Sequence, residues 1–186
     1  HCFPTRRSSD LPALLETLLA AANQAPSAHN QQSWRFVVIR SERKKALADL
    51  VAARASGFPR PSAVLLRLAA RSIAGAPVVI AVANTGELIA HGTRLFAIER
   101  EQAHDFFRTM EIQSSAAAVE NLLLAAVSLG LGAVWLGILF LLKDEVLALL
   151  GEPRGEFMAV IPVGYPEREA KGPGKKPLEA IVRYVD

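Results

Sequence analysis

The sequence contains only one cysteine, Cys2, in 186 residues. A single thiol excludes an intramolecular disulfide framework and any cysteine-rich zinc or iron–sulfur site. The four histidines, His1, His29, His91 and His104, show no metal-ligand spacing such as His-Glu-x-x-His. The sequence therefore predicts no metal site.

Motifs of several enzyme classes are also missing. There is no Gly-x-Ser-x-Gly elbow, no phosphate-binding Gly-x-x-x-x-Gly-Lys-Ser/Thr loop, and no Gly-x-Gly-x-x-Gly that opens a helix. The Gly130-Leu131-Gly132 triplet follows a helical pattern, where glycine ends helices, so it is not a dinucleotide fingerprint. The reactive group of an enzyme with this sequence would therefore come from a bound cofactor.

Charge of one sign is not concentrated anywhere in the chain. Lys and Arg number 21 against 18 Asp and Glu, which gives a formal charge of +3. The longest basic run, Arg43-Lys44-Lys45, lies at the start of a polar-faced helical pattern and indicates a solvated face. We therefore expect no nucleic-acid binding. A hydrophobic fraction of 51% is typical of a folded domain.

The N-terminal stretch has neither a starting Met nor the apolar core of a signal peptide. It reads His-Cys-Phe-Pro-Thr-Arg-Arg-Ser-Ser-Asp over residues 1–10. We interpret these residues as an atypical or truncated segment and expect a single domain over residues 11–186. The expected location is the cytoplasm.

Helical and strand-like patterns alternate along the chain. Apolar residues recur at helical spacing from Leu11, from Ser41, over 62–72 and after a cap at Ser114-Ser115. Apolar runs typical of buried strands occupy 35–39, 76–83, 133–137 and 157–163. This alternation predicts an α/β or α+β domain with one central mixed sheet. The arrangement expected is an α+β fold of the α/β sandwich type, in which helices surround the sheet. Residues 84–98 fit no clear pattern, and we interpret 84–107 as a mobile connection or substrate lid.

Residues 122–142 contain no charged side chain and meet the length criterion for a transmembrane helix. However, Gly130 and Gly132 interrupt the run where a helix would end. We therefore favour a buried helix, a glycine turn and a short strand, with no membrane association. A small membrane protein that spans at 122–142 remains the alternative.

The stretch Ala-Pro-Ser-Ala-His-Asn-Gln-Gln-Ser-Trp-Arg-Phe at 25–36 is a polar turn between a helical pattern and a strand. It resembles the Ala-Pro-Ser-x-x-Asn-x-Gln-Pro-Trp-x-Phe signature of the nitroreductase family. Residues 120–137 resemble the family's central helix and its Gly-Leu-Gly turn. Ile-Pro-Val-Gly-Tyr-Pro at 161–166 and Lys-Lys-Pro-Leu-Glu at 175–179 follow in the family's order.

This resemblance implies a nitroreductase-like fold and a homodimer with two FMN molecules at the subunit interface. It also implies NADH or NADPH as the electron donor, and a small-molecule acceptor such as a nitroaromatic or quinone. No side chain would act as a nucleophile. Carried over by position, the residues implied at the flavin are Pro26, Ser27, Ala28, Asn30, Gln32, Trp135, Leu136, Gly137 and Lys175.

The family's N-terminal Arg-Arg-Ser-Val-Arg-x-Phe motif, whose arginines and serine hold the FMN phosphate, is only partly matched. Arg6, Arg7 and Ser8 resemble its beginning but lack its continuation, and they lie about ten residues too close to Ala25. Either these three residues substitute for the family's phosphate-binding motif, or the segment that carries this motif is missing from the chain. The second case would describe a cofactor-poor relative that binds flavin weakly, since charge-assisted phosphate contacts are strong.

Overall fold

The computed structural model of the protein describes residues 4–5, 11–95, 99–167 and 172–185. Its helices are α1 (Leu11–Asn23), α2 (Ser41–Arg54), α3 (Arg60–Gly75), α4 (Glu87–Leu95), α5 (Arg100–Ser128) and α6 (Lys143–Leu150). Its strands are β1 (Pro4–Thr5), β2 (Trp34–Ile39), β3 (Val78–Asn84), β4 (Gly132–Ala133) and β5 (Glu156–Pro166). Short 3₁₀ helices cover Ala28–Asn30, Ala55–Gly57, Gly137–Leu142 and Leu178–Ala180.

The strands form one sheet in the order β1-β5-β3-β2, with β4 also paired to β5. Every described pairing is antiparallel, which differs from the mixed sheet expected from the sequence. The connection between β2 and β3 explains the difference. Helices α2 and α3 pack against each other as a hairpin and return the chain to the end where β2 stopped, so that Ile39 pairs with Val79. A single crossover helix would have given parallel strands.

Both faces of the sheet are buried, and alternate residues of β3 belong to different cores. Val79, Ala81 and Ala83 face a cluster that includes residues of α2, α3 and α6. On the opposite face, β3 packs into a cluster that includes residues of α1 and α5. The predicted sandwich of helices around a central sheet is therefore confirmed.

Helix α5 begins at Arg100, so the prediction that Ser114-Ser115 caps this helix is wrong. Both serines lie in its middle. The Ser114 hydroxyl donates to the Met110 carbonyl at 2.7 Å, which lets a serine remain inside a helix by bonding one turn back. Residues 84–98 also contain the regular helix α4, where the sequence suggested a mobile connection.

The apolar run 122–142 does not form one helix. Helix α5 ends at Ser128, Gly130 adopts a left-handed φ of 71°, and the chain continues through β4 into the 3₁₀ helix Gly137–Leu142. The expected strand 133–137 is limited to Gly132–Ala133. Across the described ranges, no helix combines the length and apolarity needed to cross a membrane. The membrane-spanning alternative is not supported.

Candidate functional site

The polar turn after α1 forms a unit closed by its own hydrogen bonds. We call it the flavin loop (residues 25–33), because the family resemblance predicts that its residues lie at the flavin. The Ser27 hydroxyl accepts the Gln32 amide at 3.0 Å, and the Ser27 carbonyl accepts the Asn30 amide at 3.0 Å. The Gln32 side-chain amide donates to Asn30 Oδ1 at 3.0 Å. Five of the predicted flavin residues therefore lie together in one short loop: Pro26, Ser27, Ala28, Asn30 and Gln32.

Three residues of the flavin loop have left-handed backbone. The φ angles are 53° at His29, 52° at Asn30 and 49° at Gln32. Non-glycine residues adopt this conformation uncommonly, and asparagine and histidine are the ones that tolerate it best. Such backbone persists only where surrounding contacts hold it, and it concentrates at functional sites. The loop thus presents amide and imidazole groups on a partly exposed surface.

Helix α5 holds the flavin loop in place. The Ser114 hydroxyl accepts the Ala28 amide at 3.2 Å, while Ala28 packs on a small cluster built from Leu88, Ala103 and Phe107. His29 lies edge-on to His91 of α4, with the ring centroids 5.7 Å apart. The loop therefore contacts α4 as well as α5.

The segment Trp135–Gly137 is attached to the sheet rather than to the loop. The Leu136 amide donates to the Val160 carbonyl at 2.9 Å, and the Trp135 indole donates to the Met158 carbonyl at 3.2 Å. Neither of these two N–H groups is available to a ligand in this arrangement. Among the described residues outside its two chain neighbours, Gly137 has only the Trp135 ring within 4 Å of the position where a Cβ would lie.

Of the residues predicted to contact the FMN phosphate, the structure describes only Lys175. Lys175 is exposed, and within the described ranges no hydrogen bond or ion pair joins it to the flavin loop or to Trp135–Gly137. The other predicted phosphate contacts, Arg6, Arg7 and Ser8, lie outside the described residues. Pro26 is exposed at the start of the loop.

A buried carboxyl group, Glu111 of α5, lies behind the flavin loop and was not foreseen from the sequence. It is 1% exposed, and its Oε1 accepts the Leu88 amide of α4 at 3.1 Å. Burial raises the pKa of the Glu111 carboxyl above its usual value. The Leu88 amide, the Ser33 hydroxyl and the Gly86 amide oppose this rise in pKa, whereas the negative charge of Glu156 adds to it.

An open cavity of about 290 Å³ lies beside Glu111, and none of the residues predicted at the flavin lines it. Arg108 and Glu156 form an ion pair at this place, with Arg108 Nε 2.8 Å from Glu156 Oε1. The lining includes Arg108, Glu111, Phe140, Lys143, Arg154 and Glu156.

Sequence reasoning missed Ser114, Glu111 and His91 as neighbours of the flavin loop. A signal was present in the spacing, because Glu111 and Ser114 lie three residues apart and share one helix face. That signal was hidden because the helix was expected to begin at Ser114.

Comparison with known proteins identifies the family to which the chain is similar. The model of the nitroreductase family matches residues 12–165. A protein from Archaeoglobus fulgidus, whose name pairs NADH dehydrogenase with NAD(P)H nitroreductase, is 30% identical over 161 residues. The match covers 83% of this chain and 74% of that protein.

Solved structures show the same fold. The nitroreductase CinD from Lactococcus lactis, in complex with chloramphenicol, superposes with a TM-score of 0.80 at 19% identity, over 98% of this chain and 93% of that one. A nitroreductase-like protein from Desulfovibrio desulfuricans, in complex with FMN, superposes with a TM-score of 0.70 at 27% identity, over 99% of this chain and 91% of that one. The family and fold predicted from the sequence are confirmed, and the chain belongs to the nitroreductase family.

Proposed function

We propose that the protein is an FMN-dependent oxidoreductase that uses NADH or NADPH to reduce electron-poor acceptors such as nitroaromatics or quinones. The observation that carries the proposal is the flavin loop, in which a family signature coincides with three residues of left-handed backbone, a conformation that clusters at functional sites. The donor set also fits the cofactor, because exposed amide groups and a lysine suit the polar ring edge and the phosphate of FMN.

Each part of the site has a separate task. The exposed side chains of Asn30 and Gln32 offer amide groups to the cofactor, and their mutual hydrogen bond fixes their orientation. Lys175 supplies a positive charge for the phosphate, while Gly137 lets the backbone approach a flat ring closely. FMN, when bound, supplies the group that takes a hydride from the nicotinamide and passes electrons to the acceptor. The protein positions the reactants and excludes water.

We further propose that the active form is a homodimer, as the resemblance implies. Helix α5 exposes Leu124 and Val127, at 60% and 74% of their surface, on the helix that also holds the flavin loop. The C-terminal segment adds the exposed side chains Leu178, Ile181 and Tyr184. Apolar surface of this kind is typical of a protein–protein contact, and burial against a second copy would cover it.

A flavin titration tests the function. We expect the purified protein to show flavin absorbance, or to acquire it with added FMN, and this absorbance should bleach when NADH or NADPH is added anaerobically. The variant Lys175→Gln should bind FMN about tenfold more weakly, since a hydrogen bond to a charged group contributes about 1.5–3 kcal/mol. The neighbouring Lys176→Gln is the matched control and should leave the affinity within about twofold of the parent's.

The titration also separates the two readings of the N-terminus. If the parent takes up FMN only at high concentration, the protein is the cofactor-poor relative. The Leu136 amide and the Trp135 indole N–H favour this second interpretation, because both already donate to carbonyl groups of the sheet. A protein that stays colourless at saturating FMN would refute the proposed function. Equal losses of affinity in Lys175→Gln and Lys176→Gln would refute the specific role of Lys175.

A further inference from the structure

The first turn of α4 is held by two buried side chains from different parts of the chain. The Leu88 amide donates both to Glu111 Oε1 and to the Ser33 hydroxyl, each at 3.1 Å. Glu111 is 1% and Ser33 2% exposed. A carboxylate at this place also compensates the positive end of the α4 dipole. We call this three-residue arrangement the α4 anchor.

The α4 anchor lies directly beside the flavin loop. Ser33 is the last residue of that loop, and its carbonyl accepts the Thr85 amide at 3.0 Å just before α4. One turn further along α4, His91 contacts His29 of the loop. The anchor at Leu88 and the contact between His91 and His29 therefore lie one turn apart on the same helix, so the anchor contributes to the position of α4 relative to the flavin loop.

Stability does not explain why the anchor uses a carboxyl group. The Oε2 atom of Glu111 is buried and makes no hydrogen bond within the described residues. A buried ionisable group with an unmatched oxygen destabilises a fold relative to an apolar side chain of similar size. Perturbed carboxyl groups of this kind cluster at functional sites. A role in holding the first turn of α4 therefore explains Glu111 better than a contribution to the stability of the core does.

We propose that Glu111 is a positioning residue for the electron-acceptor site. By fixing the first turn of α4 against the flavin loop, it sets the affinity for the acceptor without contacting FMN. This inference rests on the proposed function, because the acceptor must bind beside a flavin held by that loop.

Steady-state kinetics of four variants test the inference. Glu111→Leu removes the acceptor for the Leu88 amide but keeps the volume, whereas Glu111→Gln keeps an amide oxygen that can still accept it. Ser33→Ala removes the second acceptor of the same N–H. The control is Ser115→Ala, because Ser115 is also buried on α5 but donates to Asn84 of β3 and not to α4.

We expect Glu111→Leu to raise KM for the acceptor about five- to tenfold, with kcat and the Kd of FMN within about twofold of the parent's. Ser33→Ala should shift KM in the same direction. Glu111→Gln should restore a KM close to the parent's, and Ser115→Ala should leave KM unchanged even if it lowers Tm. A purely structural role would instead change Tm in Glu111→Leu and Ser33→Ala and leave KM for the acceptor unchanged in both.

Two results would overturn the positioning role: an unchanged acceptor KM in Glu111→Leu, or an equal rise in Ser115→Ala. If Glu111→Leu does not fold, Ser33→Ala decides by the same criterion. A parent that takes up no FMN refutes the proposed function first, and the inference then falls with it. A parent that binds FMN, together with an unchanged KM in the variants, refutes the inference alone.

Discussion

The carboxyl group of Glu111 has two features that lower the stability of the folded protein. Among the described residues, its Oε2 is the only buried side-chain polar atom without a hydrogen-bond partner, and leaving such an atom unmatched costs about 1–3 kcal/mol. Burial also raises its pKa, which means that the folded protein favours the protonated form. The carboxylate that holds α4 is therefore a source of instability at neutral pH.

The raised pKa gives a pH dependence with a definite sign. Because the folded state holds the proton more tightly than the unfolded state, the contribution of Glu111 to the free energy of unfolding falls as pH rises from about 4.5 through the raised pKa. Glu111→Gln removes this loss. We expect the variant to exceed the parent in Tm at pH 8 by a few degrees, since about 1 kcal/mol corresponds to about 2–4 °C at this chain length.

The difference in Tm between Glu111→Gln and the parent should shrink as pH falls through the raised pKa of Glu111, because protonation makes the carboxyl group neutral like the glutamine amide. Thermal unfolding at several pH values measures it. The charged groups nearby, Glu156 with its partner Arg108, are the same in both proteins. Glu120→Gln, at an exposed position of the same helix, is the matched control for the loss of one carboxyl group. A constant gap at all pH values would contradict the assigned cause.

At the scale of the elements, α4 packs on α5 through a glycine. A Cβ at Gly92 would overlap the ring of Phe107, which is buried at 1% exposure. Gly92→Ala should therefore displace α4 and lower stability by about 1–3 kcal/mol. This loss opposes the gain of about 1 kcal/mol that alanine normally brings to a helix.

Thermal unfolding and acceptor kinetics measure the effect of Gly92→Ala. Tm should fall, and KM for the acceptor should rise as in Glu111→Leu, because both changes move α4. Gly57→Ala is the control, since a Cβ there meets nothing within 4 Å, and it should be close to neutral. A more stable Gly92→Ala would show that α4 adjusts freely and does not depend on this contact.

The elements that were predicted well have uninterrupted patterns. Leu15, Leu18 and Ala22 mark the buried face of α1, and every residue of β3 is buried. The start of α5 could not be predicted in the same way. Its buried positions Ala103, Phe107 and Glu111 recur every four residues. Because Glu111 is an acidic residue, the sequence shows no continuous apolar stripe that would indicate a helix before Ser114.

The candidate site was predictable in part for a similar physical reason. Hydroxyl and amide groups after Pro26 indicated a displayed turn, and the resemblance assigned it to the flavin. Its left-handed backbone depends on contacts from residues far along the chain, above all Ser114, which lies 86 positions from Ala28. Local sequence does not encode such a contact.

At the scale of the whole molecule, α5 connects the parts that function requires. It packs against α1, α4 and the sheet, and it holds the flavin loop through Ser114. Its last turns nevertheless present Leu124 and Val127 to the surface. A helix that is buried on one side and apolar on the other is typical of a dimer core.

The double variant Leu124→Glu/Val127→Glu tests this assembly. Two like charges on each copy of the shared surface would face their equivalents across a two-fold interface, where unpaired charge is costly to bury. We expect a homodimer in the parent and a monomer in the variant, measured by light scattering after gel filtration. If both copies contribute to each flavin site, FMN affinity should fall at the same protein concentration.

Val64→Glu is the matched control for the dimer test, because Val64 of α3 is also exposed, at 45%, but lies on the opposite face of the sheet from α5. It should leave both the mass and the FMN affinity unchanged. A dimer that persists in the double variant would place the interface elsewhere. If the variant becomes monomeric but binds FMN as tightly as the parent, one chain is sufficient for the flavin site. The flavin loop and its contact with Ser114 of α5 would then hold FMN without a second copy.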